Sequence, residues 1–137
     1  MSFRRILIAV EGDDLGARAA DLGFELARTL GAEIALVHAI GPAISLQGES
    51  GAVVIEEDAR RLLAELAART PGVVAAQFVP FGERAEEIVK TAREWSADLI
   101  VVGTRARGVV ARTLLGSVAD AVVRHAPCPV LVVPAPS

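Results

Sequence analysis

The residues best suited to chemistry lie between Gly103 and Val118, in the stretch GTRARGVVARTLLGSV. Gly103 ends an apolar run, and a glycine there lets a ligand reach the main chain with no Cβ in the way. Ser117-Val118-Ala119-Asp120 has the spacing of a helix capping box and opens an apolar-periodic run through Val122 and His125. Gly116 and Ser117 therefore set unbonded backbone N–H groups at a helix N-terminus, where the helix dipole adds attraction for an anion such as phosphate. Arg105, Arg107 and Arg112 bring positive charge to the same stretch. The same residues also describe an ordinary serine-capped helix behind a solvated basic turn. The Ser117 hydroxyl can serve the cap, the ligand, or each in turn.

Other candidates narrow the chemistry. No GxxxxGK[ST] occurs, and the single lysine, Lys90, falls in an amphipathic segment, so a Walker-type phosphate loop is absent. The first apolar run ends in VEGDD rather than GxGxxG. Those carboxylates would repel a pyrophosphate, so they face a sugar or base if a nucleotide binds. Asp13 and Asp14 could hold Mg²⁺ through water or open a helix whose dipole they complement. His38 and His125 have no partner at metal-ligand spacing. His38 is expected to pack at a sheet end and His125 to cap helix carbonyls. Ser117 has no base near it in sequence, so no nucleophilic triad can be argued. Cys128 is the lone cysteine and lies in APCPVLVV, which predicts a buried, inert thiol.

The elements that must position these residues follow from hydrophobic periodicity. RRILIAV, EIALVHAI, VVAAQFVP, DLIVVG and CPVLVVP read as strands. Between them run amphipathic helices. The first spans Asp14 to Leu30, with Leu15, Ala19, Leu22, Leu26 and Leu30 on one face and Gly31 at its end. The second carries Ile55, Ala59, Leu62 and Leu66 and stops at Thr70-Pro71-Gly72; the third carries Ala85, Ile88, Ala92 and Trp95. GPAISLQGESGA, residues 41–52, reads as a loop. The third strand is less apolar and is expected nearer an edge; the last is short and final, hence also an edge.

Strict β-α alternation predicts an α/β domain spanning 1–137, with a parallel sheet between two helical layers. Such open sheets bind ligands outside the carboxyl ends of strands where the order reverses, here between the first and fourth strands. The segments leaving those strands are EGDD and GTRARG. The chain has 137 residues and a net charge of −3 with both signs interspersed, which argues against broad nucleic-acid binding. No apolar run reaches the ~20 residues that span a bilayer, and the opening MSFRRILIAVEG is too short for a signal-peptide core. A soluble cytoplasmic protein is expected.

The sequence resembles the universal stress protein family along nearly its whole length. ILIAVEGDD is similar to the family's first strand and acidic turn, AEIALVHAI to its second strand, and ADLIVVGTRARGVVARTLLGSVADAVVRHAPCPVLVVP to its C-terminal third. The resemblance implies a Rossmann-like, three-layer fold of the adenine nucleotide alpha hydrolase type, with five parallel strands in the order 3-2-1-4-5. It also implies a dimeric regulatory protein of the stress response, pairing through Val130 to Val133, and binding of an adenine nucleotide. Nucleotide-binding members carry G-x2-G-x9-G-[ST]. Gly103, Gly116 and Ser117 match it, while Ala106 stands at the second glycine and Glu11 where aspartate is usual. By resemblance, Ala9, Val10, Glu11, Ala39 and Val102 wall the base and ribose, and amides of Ala106, Arg107, Gly116, Ser117 and Val118 hold the phosphates. The implied cofactor is ATP, with or without Mg²⁺; AMP or no nucleotide are the alternatives. The departures at Ala106 and Glu11 open a second reading, a dimeric interaction scaffold without nucleotide. Slow ATP hydrolysis is a third.

Overall fold

The computed structural model describes residues 2–11, 14–41, 48–104 and 116–134. Along the chain run β1 (Arg5–Ala9), α1 (Asp14–Leu30), β2 (Glu33–Val37), α2 (Gly48–Ala68), β3 (Val74–Phe78), α3 (Arg84–Trp95), β4 (Leu99–Thr104), α4 (Ser117–His125) and β5 (Val130–Pro134). Every strand pairing is parallel, and the order is β3-β2-β1-β4-β5. The expected architecture and strand order are therefore observed, with both expected edge strands at the edges.

Side chains alternate across the sheet with the two-residue period of a strand. Ile6, Ile8, Ile34, Leu36 and Val101 face one layer, where Ala19, Ala20, Phe24 and Ala27 of α1 and Ala59, Leu63 and Leu66 of α2 meet them. Leu7, Ala9, Ala35, Val37, Ile100 and Val102 face the other, against Ala85, Ile88 and Ala92 of α3 and Ala119 and Val122 of α4. β4 is buried along its entire length and β1 from Ile6 onward. Burial on both faces explains why these strands read as unbroken apolar runs. At the amino edge of the sheet, the Asp98 carboxylate accepts from the backbone amides of Arg4 (2.9 Å) and Arg5 (3.1 Å). This ties β1 to β4 at the end opposite the carboxyl edge.

Two helical expectations need correction. Residues 41–52 are not all loop, because α2 begins at Gly48. Once the amphipathic turns from Ile55 onward form, extending a helix backward costs far less than starting one, so a polar glycine-containing segment is recruited. In α1 the expected stripe is only partly the buried one: Ala19 is buried, Leu30 is not, and the Leu15 side chain lies outside the described residues. Leu22 and Leu26 are half-buried at the margin of the core and Leu30 is 46% exposed, whereas Ala19, Ala20, Phe24 and Ala27 are buried in it and Gly23 lies against Ile8. α1 lies so close to the sheet that small residues are required there: a methyl group on Gly23 would overlap the Ile8 side chain.

Candidate functional site

A cleft of about 250 Å³ opens at the carboxyl ends of β1 and β4, lined by Glu11, Arg84, Gly103, Thr104, Gly116, Ser117, Val118 and Ala119. β1 and β4 are adjacent while their sequence neighbours turn away in opposite directions. The cleft thus occupies the switch point of the sheet.

Each lining residue has a local cause. Val10 donates its amide to the Val37 carbonyl (2.8 Å), prolonging β1 toward Glu11. The Val10 carbonyl in turn lies 2.7 Å from His38 Nδ1. A carbonyl can only accept, so Nδ1 is the donating nitrogen. His38 thus holds the chain that delivers Glu11, in keeping with its expected place at the sheet end. Gly16, in the first turn of α1, packs against the Glu11 backbone, where a methyl group would overlap the Glu11 carbonyl oxygen. Gly103 and Thr104 end β4 with both residues buried. Gly116 faces them closely: a Cβ there would sit 3.6 Å from Thr104 Oγ1.

The start of α4 differs from the capping-box expectation. Gly116, not Ser117, is the N-cap, and no side chain closes it. Ser117 is the first helical residue, one position too far along for its hydroxyl to reach back over the N-terminal amides as a cap does. The Asp120 amide donates to the Gly116 carbonyl at 2.9 Å as the first helical bond, and among the described residues no side chain accepts from the amides that precede it. The amides of Ser117, Val118 and Ala119 therefore remain as donors. α3, in the same layer, is the contrast. Its N-cap Glu83 accepts from Ala85 N (3.2 Å) and Glu86 N (2.8 Å), so that helix satisfies itself. Unbonded donors reinforced by the α4 dipole are suited to an anion.

Arg84 is the lining residue that the sequence concealed. Its Nη1 lies 3.8 Å from Glu11 Oε2, with the arginine side chain 53% exposed and the glutamate 22%. It opens α3 two residues after Gly82, whose φ of 151° is a conformation suited to glycine and whose amide donates to the Ile40 carbonyl (3.0 Å). A short parallel bridge between Ile40 and Phe81 completes that junction. The only signal in the sequence was a glycine followed by a charged pair ahead of a helical pattern.

Of the residues expected at the site, Glu11, Gly103, Gly116, Ser117 and Val118 are brought together. Ala9, Val10, Ala39 and Val102 are buried in the core and are not among the residues that line the cleft. Ala106 and Arg107, like Asp13, Arg105 and Arg112, lie outside the described residues. No cluster of three or more metal-ligating side chains occurs among the described residues. His125 is exposed and, contrary to expectation, makes no hydrogen bond to helix carbonyls; it borders a separate groove between α3 and α4. That groove is larger, about 500 Å³, but mixes carboxylates, Arg93 and His125 without converging main-chain donors. Cys128 is half-buried rather than buried. Its desolvation, followed by the nearby Asp98 carboxylate, raises the thiol above its ordinary value, which disfavours the reactive thiolate.

Comparison with known proteins bears on this cleft. The model of the universal stress protein family matches residues 2–134. A universal stress protein encoded in the 3' region of the QAH/OAS sulfhydrylase of Thermus aquaticus is 38% identical over 138 residues, covering 96% of this chain and 98% of its own. The solved structure of the hypothetical protein MJ0577 superposes with a TM-score of 0.80 at 23% identity, covering 100% of this chain and 99% of that one, a likeness of fold alone. A universal stress protein solved in complex with cAMP matches with a TM-score of 0.71 at 26% identity, covering 97% and 98%.

Proposed function

The chain belongs to the universal stress protein family, and on that premise we propose that its cleft binds an adenine nucleotide, ATP foremost. The observation that carries this reading is the open start of α4, whose three amides face the end of β4 with no side chain to satisfy them. In this reading the phosphates lie against Gly116, Ser117 and Val118, joined by Ala106 and Arg107. The Glu11 carboxylate accepts from a ribose hydroxyl. Ala9, Val10, Ala39 and Val102 shape the sheet end beneath the base and ribose. The cAMP bound by a relative of the same fold supports an adenosine ligand. Nucleotide occupancy would then bias the contacts of a regulatory protein in the stress response.

Mass spectrometry of the freshly purified, denatured protein is expected to release an adenine nucleotide. Mg-ATP at a hundredfold its Kd is expected to stabilise the fold by about 2.7 kcal/mol, read as a rise in Tm. An empty protein with no shift defeats the reading. Ala106 favours the second reading, a scaffold that binds no nucleotide. In that case Ala106→Gly creates an affinity absent from the parent; equal binding by both removes the second reading.

The exposed edge of β5 supports assembly as a dimer. Edge strands present unpaired N–H and C=O groups that invite another chain, and Val130, Leu131 and Val132 are each only half-buried. We expect β5 to pair with its copy across a two-fold axis, Val130 to Val133 forming the seam. Light scattering at micromolar concentration should return twice the chain mass; a monomer there sinks the assignment. No helix among the described residues is long and apolar enough to cross a membrane.

A further inference from the structure

We propose that Arg84 makes the cleft selective for polyphosphate ligands by neutralising Glu11. This inference rests on the nucleotide reading above and extends it to a residue outside the phosphate-binding stretch. Glu11 poses a difficulty for that reading. A carboxylate in the same small cleft as the α4 amides repels each charge of a polyphosphate, and a site partly shielded from water screens that repulsion less than bulk solvent does. Arg84 answers it. Among the described lining residues these two carry the only full charges, and they face each other at 3.8 Å.

The placement of Arg84 is built into the fold. The Ile40–Phe81 bridge, the Gly82 amide on the Ile40 carbonyl and the Glu83 cap together fix the first residue of α3 at the rim of the cleft. The guanidinium also lies against Gly41, where a Cβ would stand 3.4 Å from Arg84 Nε. The pair with Glu11 is longer than a charge-assisted hydrogen bond, about 2.7–2.9 Å, and Arg84 is half in solvent. An exposed pair of this kind contributes little by itself. Its guanidinium can therefore shift toward a phosphate while its charge still offsets the carboxylate.

The test is the ratio of ATP affinity to adenosine affinity, measured by titration calorimetry. Adenosine carries the same base and ribose, so the ratio cancels whatever Glu11 does for the sugar. Arg84→Gln is expected to lower the ratio tenfold or more, and Arg84→Lys, which keeps the charge, to hold it within threefold of the parent. In Glu11→Gln with Arg84→Gln no carboxylate remains to be neutralised, and the ratio should return to within threefold of the parent. An unchanged ratio in Arg84→Gln overturns the proposal, as does loss of both ligands in equal measure. A ratio that stays low in the double variant overturns neutralisation as well. If the parent binds neither ligand, the nucleotide reading fails and carries this inference down with it. A parent that binds ATP, with a ratio indifferent to Arg84, sinks the Arg84 assignment alone.

Discussion

Ser117→Pro is expected to abolish ATP binding while leaving the fold standing. Proline is at home in the first helical position, where its fixed φ suits the helix and its missing N–H costs no helical bond. The residue before a proline is pressed toward a ψ of about 120–160°; Gly116 already holds a ψ of 164°, and its φ of −1° is left to the freedom of glycine. The substitution therefore removes two ligand donors, the Ser117 amide and hydroxyl, without taking a bond from α4. Hydrogen bonds to charged groups are worth about 1.5–3 kcal/mol each. Two lost donors amount to roughly 3–6 kcal/mol, or at least a hundredfold in Kd. Ser117→Ala, which removes the hydroxyl alone, should cost only about the first half of that. Calorimetry with ATP, beside a thermal melt of each variant, measures both quantities. Full affinity in Ser117→Pro with Tm unchanged would place the phosphates elsewhere.

Gly16→Ala is expected to destabilise the protein, against the usual rule for helices. In an ordinary helix, alanine for glycine gains about 0.5–1 kcal/mol. At Gly16 the new methyl group would overlap the Glu11 carbonyl oxygen and stand 2.8 Å from the Glu11 nitrogen. These are backbone atoms and cannot rotate aside, so α1 or the end of β1 must move. Overpacking of this kind costs about 1–3 kcal/mol, which outweighs the helical gain. A net loss of about 1–2 kcal/mol should lower Tm by roughly 4–8 °C in a chain of this size. Because the displaced group is Glu11 itself, affinity for adenosine should fall with it. Urea unfolding measures the stability; a variant more stable than the parent would show that α1 can back away without cost.

The two residues that these arguments add to the site were obscure in the sequence for different reasons. Arg84 reads as an ordinary first-turn residue of a solvated helix, and nothing local marks it. It meets Glu11 only because the crossover from β3 through α3 returns over β1 and β2. Gly16 did leave a trace. A glycine inside a helical pattern is unfavourable enough to imply a packing reason, and Gly23 repeats it seven residues on. The leucines beside that face carry the stronger apolar signal. The start of α4 was legible to within one residue, and that one residue separates a self-satisfied helix from an open set of donors.

Taken alone, the sequence determined the elements, their order, the parallel sheet and the stretch from Gly103 to Val118 as the place to look. These follow from periodicity and turn chemistry, which act between near neighbours along the chain. Tertiary structure decided which face of α1 is buried, that Arg84 opposes Glu11, and that Gly116 rather than Ser117 begins the cap. Those outcomes depend on how closely distant segments approach, to within the width of a methyl group, and only the packed sheet and its helices set that distance.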